Sequence, residues 1–262
     1  MLGKLYKYEW KATARLFIPF YIAMLVFSLI NRVFLQINVQ DSWLAIPAGM
    51  MMFAFVMITV ATLALTVIIM IQRFYKNLMG DEGYLMFTLP VKPWQHIVSK
   101  LLIVCVWTFL SLFVVIIALL AMLGNREVFA EMSRIYNGFV NTEMPFNKWL
   151  AVAGLLVTLI ASTIASILQV YAAIALGQLF AKHKLVASFG AYLVLNVVLQ
   201  ILVSLAFGLG YLAFPSAFVM TEMPKTSFFV LMFWGTMAIN IITGAGFFFL
   251  TNYILKKRLN LQ

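Results

Sequence analysis

The residues of this chain that could do chemistry fall into two groups. One is a compact charged segment at 80–95, GDEGYLMFTLPVKPWQ, in which Asp81 and Glu82 stand between two glycines. An acidic pair fixed by turn residues is expected to meet Arg or Lys, either of a partner or of the nearby Arg73 and Lys76, because charge-assisted hydrogen bonds are among the stronger ones. The other group consists of uncharged polar side chains within long apolar runs: Ser162, Ser166, Gln169, Asn196, Gln200 and Asn240.

Catalytic and metal-binding patterns are missing from the sequence. It contains no H-E-x-x-H motif, no paired Asp within an apolar run and no Ser/His constellation, so an intramembrane enzyme is the least favoured class. We predict no metal and no cofactor bound by this chain. The single Cys105 excludes an intrachain disulfide and is interpreted as a small apolar packing residue.

Composition places these residues in a membrane protein. Hydrophobic residues make up 65% and charged residues 10% of the 262 positions, against roughly 45–50% and 25% in soluble domains. A spanning helix needs about 20 mostly apolar residues. Charges separate six uncharged runs, at 16–31, 42–72, 101–125, 149–181, 185–221 and 226–255. The sequence therefore predicts an all-α fold, a single transmembrane domain over 1–262 with six transmembrane helices.

The basic residues predict the orientation of these spans. With six spans both termini lie on one side, and thirteen of the eighteen Lys and Arg residues fall on that side. The positive-inside rule then places both termini in the cytoplasm. The net charge of +10 follows from this topology. It suits anionic lipid headgroups, and no nucleic-acid partner is predicted.

Residues 1–15, MLGKLYKYEWKATAR, are predicted to form an interfacial elbow helix before the first span. Basic and apolar residues separate onto two faces at helical spacing, with Trp10 on the apolar face. The helix is interpreted either as a simple anchor or as a docking surface for a cytoplasmic partner. The elbow residues that we single out are Lys4, Lys7, Trp10, Lys11 and Arg15.

The segment 73–97 between the second and third spans is predicted to be cytoplasmic and to hold a short helix between two breaks. Gly80 can end the preceding helix. Asp81 can cap a new one, with Glu82 adding negative charge to its first turn. Pro93 suits the first position of the helix that becomes the third span.

Two further segments are predicted on the outer side. The loop 124–148 contains an amphipathic stretch at 126–140, which is interpreted either as a lid on an outer opening or as a passive interfacial helix. The run 185–221 is too long for one span and too short for two. Its length predicts a re-entrant segment at 208–226, where irregular backbone must be covered by protein or reached by water.

The polar side chains within the spans have two interpretations. Three of them recur at spacing i, i+4 and i+7, so they share one face of a helix. They either join helices by hydrogen bonds worth about 0.6 kcal/mol each, or form a weakly polar translocation path. That path would comprise Ser162, Ser166, Gln169, Asn196, Gln200 and Asn240. No charged residue lies mid-span, which weakens a secondary-transporter reading.

The stretch FYKNLMGDEGYLMFTLPVKPWQHIVSKLL at 74–102, with the basic elbow and six spans, resembles the permease subunits of type-2 ATP-binding-cassette (ABC) exporters. It is similar to the small six-span permeases of Gram-positive bacteria, and the resemblance covers essentially the whole chain. In that family the segment between spans two and three is a coupling helix that seats in a groove of the ATPase. The resemblance implies that the ATPase contact is made by Gly80, Asp81, Glu82, Gly83, Tyr84, Leu85, Met86 and Phe87.

The resemblance also implies the partners of this chain. They are cytoplasmic ABC ATPase subunits, a second permease copy or a homologue, and membrane lipid. No Walker motif G-x-x-x-x-G-K-[ST] occurs here, so ATP and Mg²⁺ would be bound by the separate ATPase and the chain itself would not be an enzyme. The expected location is the bacterial plasma membrane.

The leading hypothesis is an exporter permease for a hydrophobic or amphiphilic substrate: a peptide antibiotic, a drug, a lipid or a glycan. One alternative is a non-pumping membrane sensor or assembly protein that binds a cytoplasmic partner through the same loop. The other is a secondary transporter.

Overall fold

The computed structural model describes residues 2–37, 43–76, 92–142, 147–180, 182–213 and 225–257. These residues form seven α-helices: α1 Leu2–Gln36, α2 Ala45–Phe74, α3 Pro93–Leu123, α4 Arg126–Asn141, α5 Lys148–Gly177, α6 Lys184–Ala213 and α7 Lys225–Lys257. Every helix except α4 contains a stretch long and apolar enough to cross a membrane, with mean hydropathy between 1.5 and 2.9. The prediction of six apolar helices is confirmed, which indicates a helical membrane protein.

Several helix ends follow from local chemistry. Pro93 is the first residue of α3, where its missing N–H would have no partner within the helix anyway. Asn125 caps α4, because its side chain accepts a hydrogen bond from the Val128 N–H at 2.8 Å. Asn147 caps α5 by accepting from two backbone N–H groups of the first turn.

Finer predictions about the segments between spans remain predictions. Helix α1 continues through Arg15 and Pro19, so the described residues show no break between the proposed elbow at 1–15 and the first span. The coupling residues 80–87 lie outside the described residues. Of the proposed re-entrant segment 208–226, residues 208–213 continue α6 as helix, and residues 214–224 are outside the description.

The chain divides into two compact units, and unit one comprises Met1–Met70 and Leu102–Thr142. Tyr21 on α1 lies 2.7 Å from Ser111 on α3, and Ser28 donates to the Ala118 carbonyl seven residues further along both helices. Helices α1 and α3 are therefore parallel. Helix α2 is antiparallel to both, and the core between the three is formed by Phe17, Tyr21, Met24, Phe55, Ile69, Ile103, Trp107, Ala118 and Met122.

Unit two comprises Ile71–Leu101 and Glu143–Gln262. Helix α5 is its central element and packs against α6 and α7. Gly244 of α7 approaches α5 so closely that a Cβ there would lie 3.5 Å from the Ala165 Cα. At Gly177 the approach is closer, and an added Cβ would lie 2.6 Å from the Ser188 Cα on α6. Small residues therefore bring these backbones together, as is common between membrane helices.

Candidate functional site

The described residues on both sides of the proposed coupling segment belong to unit two. We call this region the base: residues 71–76, which include the end of α2, residues 92–101, which include the start of α3, and residues 165–177 of α5. The Phe74 ring stacks on the Tyr171 ring of α5, with centroids 4.0 Å apart and an interplanar angle of 11°. Both side chains are fully buried. The end of α2 is thus held directly against α5.

The start of α3 is also buried within the base. Ile97 is fully buried, and the polar side chains of His96, Ser99 and Lys100 are nearly so. Ser99 donates a hydrogen bond to the His96 carbonyl at 3.0 Å. Buried polar and charged groups are costly unless they are satisfied. The buried side chains at the start of α3 thus include polar and charged groups as well as apolar ones.

The charged residues described in unit two are all basic. Among them, Lys76, Lys92, Lys182 and Lys256 are exposed, and no described residue of this unit is acidic. Helices α5 and α7 are parallel, because Gly154 approaches Phe233 and Ala165 approaches Gly244. The C-terminal ends of these helices and the start of α6 therefore lie at the same end of the unit. A basic surface of this kind suits acidic protein groups or anionic headgroups.

The proposed elbow residues lie in unit one. Lys7, Lys11 and Arg15 are exposed, while the side chain of Lys4 lies outside the description. Trp10 is half-buried and stacks on Trp107 of α3, with ring centroids 4.6 Å apart. The apolar face that the sequence assigned to this segment therefore has α3 as a partner, which periodicity alone did not specify.

Trp107 is the centre of an aromatic stack that sequence reasoning missed. Phe17 covers its second face at a centroid distance of 4.4 Å and an angle of 10°. The indole Nε1–H donates to the Thr13 hydroxyl at 2.8 Å, and that hydroxyl in turn donates to the Trp10 carbonyl at 3.1 Å. A sequence signal was available in the run of aromatic and hydroxyl residues at helical spacing from Trp10 to Tyr21.

A chain of hydroxyl groups that the sequence did not reveal joins three helices of unit one. Thr66 donates to the Thr62 carbonyl at 3.0 Å. The Thr66 hydroxyl has only that one proton, so its oxygen accepts a hydrogen bond from the Ser111 hydroxyl at 3.2 Å. The Ser111 proton is then used as well, so the Ser111 oxygen accepts from the Tyr21 hydroxyl at 2.7 Å. The direction of each bond is therefore determined, running from α1 through α3 to α2.

The three polar residues predicted to share a face of α5 have different surroundings. The hydroxyls of Ser162 and Ser166 donate to carbonyls of their own helix, at 3.0 and 2.8 Å. Gln169 is 9% exposed, and its Nε2 has no hydrogen-bond partner among the described residues. The two serine hydroxyls therefore do not link helices in the described contacts, and Gln169 is the buried member of the face.

The remaining residues of the candidate path lie on two other helices. Asn196 and Asn240 each donate to a carbonyl one turn earlier, at 2.9 and 2.8 Å. Gln200 is exposed beside an open groove of about 430 Å³, whose described lining is Val197, Gln200, Ile201, Ser204 and Leu205. No described hydrogen bond joins the six predicted path residues to one another, so the path stays a prediction.

Within the described part of the chain, no three metal-ligating side chains cluster. Comparisons of the chain with known protein families, with curated proteins and with solved structures find no match.

Proposed function

We propose that this chain is the transmembrane permease subunit of an ATP-driven type-2 ABC exporter in a bacterial plasma membrane. It has both termini in the cytoplasm and works as a pair with a second copy or a homologue. Separate ATPase subunits bind ATP and Mg²⁺ and contact residues 80–87. The substrate is hydrophobic or amphiphilic, because the spans carry no fixed mid-membrane charge to recognise a small ion.

The observation that carries this proposal is the contact between Phe74 and Tyr171 in the base. The rings of Phe74 and Tyr171 are stacked with centroids 4.0 Å apart and are fully buried. Because packed interiors transmit strain, a displacement of the segment after Phe74 would move α5 as well. Helix α5 packs in turn on α6 and α7. The helices that carry the candidate path are therefore those connected to the proposed ATPase contact.

Charge supports the same assignment. Asp81 and Glu82 are the only acidic residues between Asp41 and Glu127. They follow a helix end that carries Arg73 and Lys76. An acidic pair on an otherwise basic surface gives the ATPase a local feature to recognise. Repulsion between like charges on the rest of the two surfaces then limits docking to the acidic pair.

A photocrosslinking experiment tests the contact directly. A photoreactive phenylalanine derivative replaces Tyr84 in the full chain expressed in its own host, and a second variant carries it at Tyr136 of α4. We expect irradiation of the first variant to yield an adduct with a protein that contains a Walker motif. The Tyr136 variant should yield no such adduct. Adducts at Tyr84 that contain no nucleotide-binding protein would contradict the proposal.

Charge reversal of the acidic pair gives a quantitative test. Glu82→Lys should weaken ATPase co-purification at least about tenfold, because removing one member of an interfacial charge pair costs about 2–5 kcal/mol. Glu127→Lys is the matched control, as Glu127 lies on α4. Membrane insertion should be unchanged in both. If Glu82→Lys retains ATPase binding and stimulated ATP hydrolysis, the acidic pair is not the contact.

Transport in proteoliposomes separates the alternatives. ATP-dependent movement of an amphiphilic probe by the complex favours the exporter. ATPase binding without movement favours the sensor or assembly protein. Movement by this chain alone, driven by an ion gradient, favours a secondary transporter.

A further inference from the structure

Helix α4 differs from the other helices because it is short and amphipathic and none of its side chains is buried. It has 16 residues. A helix of this length is marginal in water on its own. Something outside the described contacts must therefore stabilise it if it is to persist.

The apolar face of α4 is continuous and exposed. Phe129, Met132, Ile135 and Tyr136 are 56%, 47%, 71% and 60% exposed. On a helical projection they fall within one arc, and the opposite arc carries the ion pair between Arg134 and Glu131 and the contact between Asn137 and Ser133. Leaving four large apolar side chains in water is unfavourable by roughly 25 cal/mol for each Å² exposed.

The position of α4 in the chain identifies what covers this face. Only Gly124 and Asn125 separate it from the end of α3. Gly124 is buried beneath the Phe129 ring, which lies 3.4 Å from the position of an added Cβ. The apolar face therefore begins where a membrane span ends, and the exposed Leu119 and Leu123 of α3 lead into it.

An exposed tryptophan indicates that the end of α3 beside α4 lies at the membrane–water interface. Trp43 stands two residues before α2, which is antiparallel to α3 in the same unit, and is 82% exposed. Indole rings concentrate at the headgroup level of membranes. Of the charged residues of α4, Arg126, Glu127, Glu131 and Arg134, two are basic and two acidic, so the helix is not repelled by zwitterionic or anionic headgroups.

We propose that α4 lies in the plane of the membrane–water interface and binds phospholipid through Phe129, Met132, Ile135 and Tyr136, with its charged face towards water. This goes beyond the proposed function and does not depend on it. Between the two interpretations left open by the sequence, it selects the interfacial helix over the lid.

Spin-label accessibility tests the proposal on the full chain. In a Cys105→Ala background, a nitroxide is attached at Ile135→Cys or, as the matched control, at Asn137→Cys, in phosphatidylethanolamine–phosphatidylglycerol liposomes. We expect the label at 135 to collide with oxygen and to be shielded from a water-soluble nickel chelate. The label at 137 should show the reverse. Nickel access at both sites would place the face in water, and shielding of position 135 from both reagents would mean that protein covers it. Either result overturns the proposal.

Hydrogen exchange supplies a second readout that needs no label. Ile135→Glu puts a charge on the lipid face, and amides of α4 should then exchange about tenfold faster or more, because the helix loses the contact that stabilises it. Ser133→Glu adds the same charge to the polar face and should leave the exchange rates close to those of the parent. Equal rates in the two variants would contradict lipid binding by this face.

Discussion

The helices inside each of the two units are held together by a different kind of contact. In unit one, side chains bridge helices: the Tyr21–Ser111–Thr66 chain joins three of them, and Asn31 donates to the Met51 carbonyl of α2 at 3.0 Å. In unit two, polar side chains such as Ser166, Asn196 and Asn240 return their hydrogen bonds to their own helix. There the close approaches between backbones are made at glycines, with Gly177 against Ser188 and Gly244 against Ala165.

This difference has a mechanical consequence. A hydrogen bond between helices has a defined partner, so it fixes how far one helix is shifted along another. Contacts between small residues bring two backbones together, but they do not fix how far one helix is shifted along the other, which then depends only on how the two surfaces fit. We therefore expect unit one to behave as a fixed body, and the helices of unit two to tolerate small relative movements of the kind that the proposed exporter function would require.

The largest expected effect comes from the aromatic centre of unit one. Trp107→Ala removes the stacks with Trp10 and Phe17 and the hydrogen bond to Thr13. It should lower the free energy of unfolding by about 3–5 kcal/mol, as for other large-to-small core substitutions. The measurement is an SDS titration in mixed micelles followed by near-ultraviolet circular dichroism.

Trp234→Ala is the control for that variant. Trp234 lies on α7 in unit two and is half exposed, so its loss should cost less than about 1 kcal/mol, as the site can be refilled by lipid or detergent. Similar losses for the two tryptophans would show that the stack on α3 does not hold unit one together.

The next effect in size concerns the closest backbone approach in unit two. A Cβ at Gly177 would lie 2.5 Å from the Ser188 backbone nitrogen, and backbone cannot yield as a side chain can. Gly177→Ala should therefore force α5 and α6 apart and cost about 1–3 kcal/mol. Thermal unfolding in detergent, followed by size-exclusion chromatography, measures this loss.

Gly190→Ala is the matched control, because a Cβ there meets nothing within 4 Å. It should be neutral or slightly stabilising, since alanine favours helix over glycine. If Gly190→Ala lowers the stability as much as Gly177→Ala does, these glycines provide backbone flexibility rather than close packing.

The sequence predicted helices well because the membrane makes hydropathy a direct reporter of spans. It predicted burial poorly for the same reason. Lipid is as apolar as a protein core, so Leu102 and Ile103 look alike in sequence although they are 48% and 2% exposed. The spanning stretch of α6 has a mean hydropathy of 2.2, close to that of α5, yet none of its most apolar window is buried.

The candidate site was predictable in its local chemistry and less so in its tertiary contacts. Pro93 begins α3 as its chemistry required, and 126–140 falls within the helix α4. The pairing of Phe74 with Tyr171 spans almost a hundred positions and follows no periodicity. The sequence also does not reveal that Arg32 donates to the Ala121 carbonyl of α3 at 3.2 Å, a contact that is available because the nearby helix end offers unpaired acceptors.

The smallest expected effect distinguishes the two units most sharply, because it compares the same substitution in each. Ser111→Ala breaks the link between Tyr21 and Thr66, whereas Ser166→Ala removes only a bond to its own helix. With about 0.6 kcal/mol for each bond between membrane helices, the first should cost about 1 kcal/mol. The second should be close to neutral, since back-bonding to the previous turn adds little.

A double-mutant cycle identifies the source of that difference. Tyr21→Phe combined with Ser111→Ala should cost less than the sum of the single losses by about 0.6 kcal/mol, because both variants remove the same bond. Tyr21→Phe combined with Ser166→Ala should be additive, as no described hydrogen bond joins the two positions. Additivity in both cycles, or equal losses at the two serines, would mean that hydrogen bonds between helices do not hold unit one together, and the contrast between a fixed and a movable unit would lose its basis.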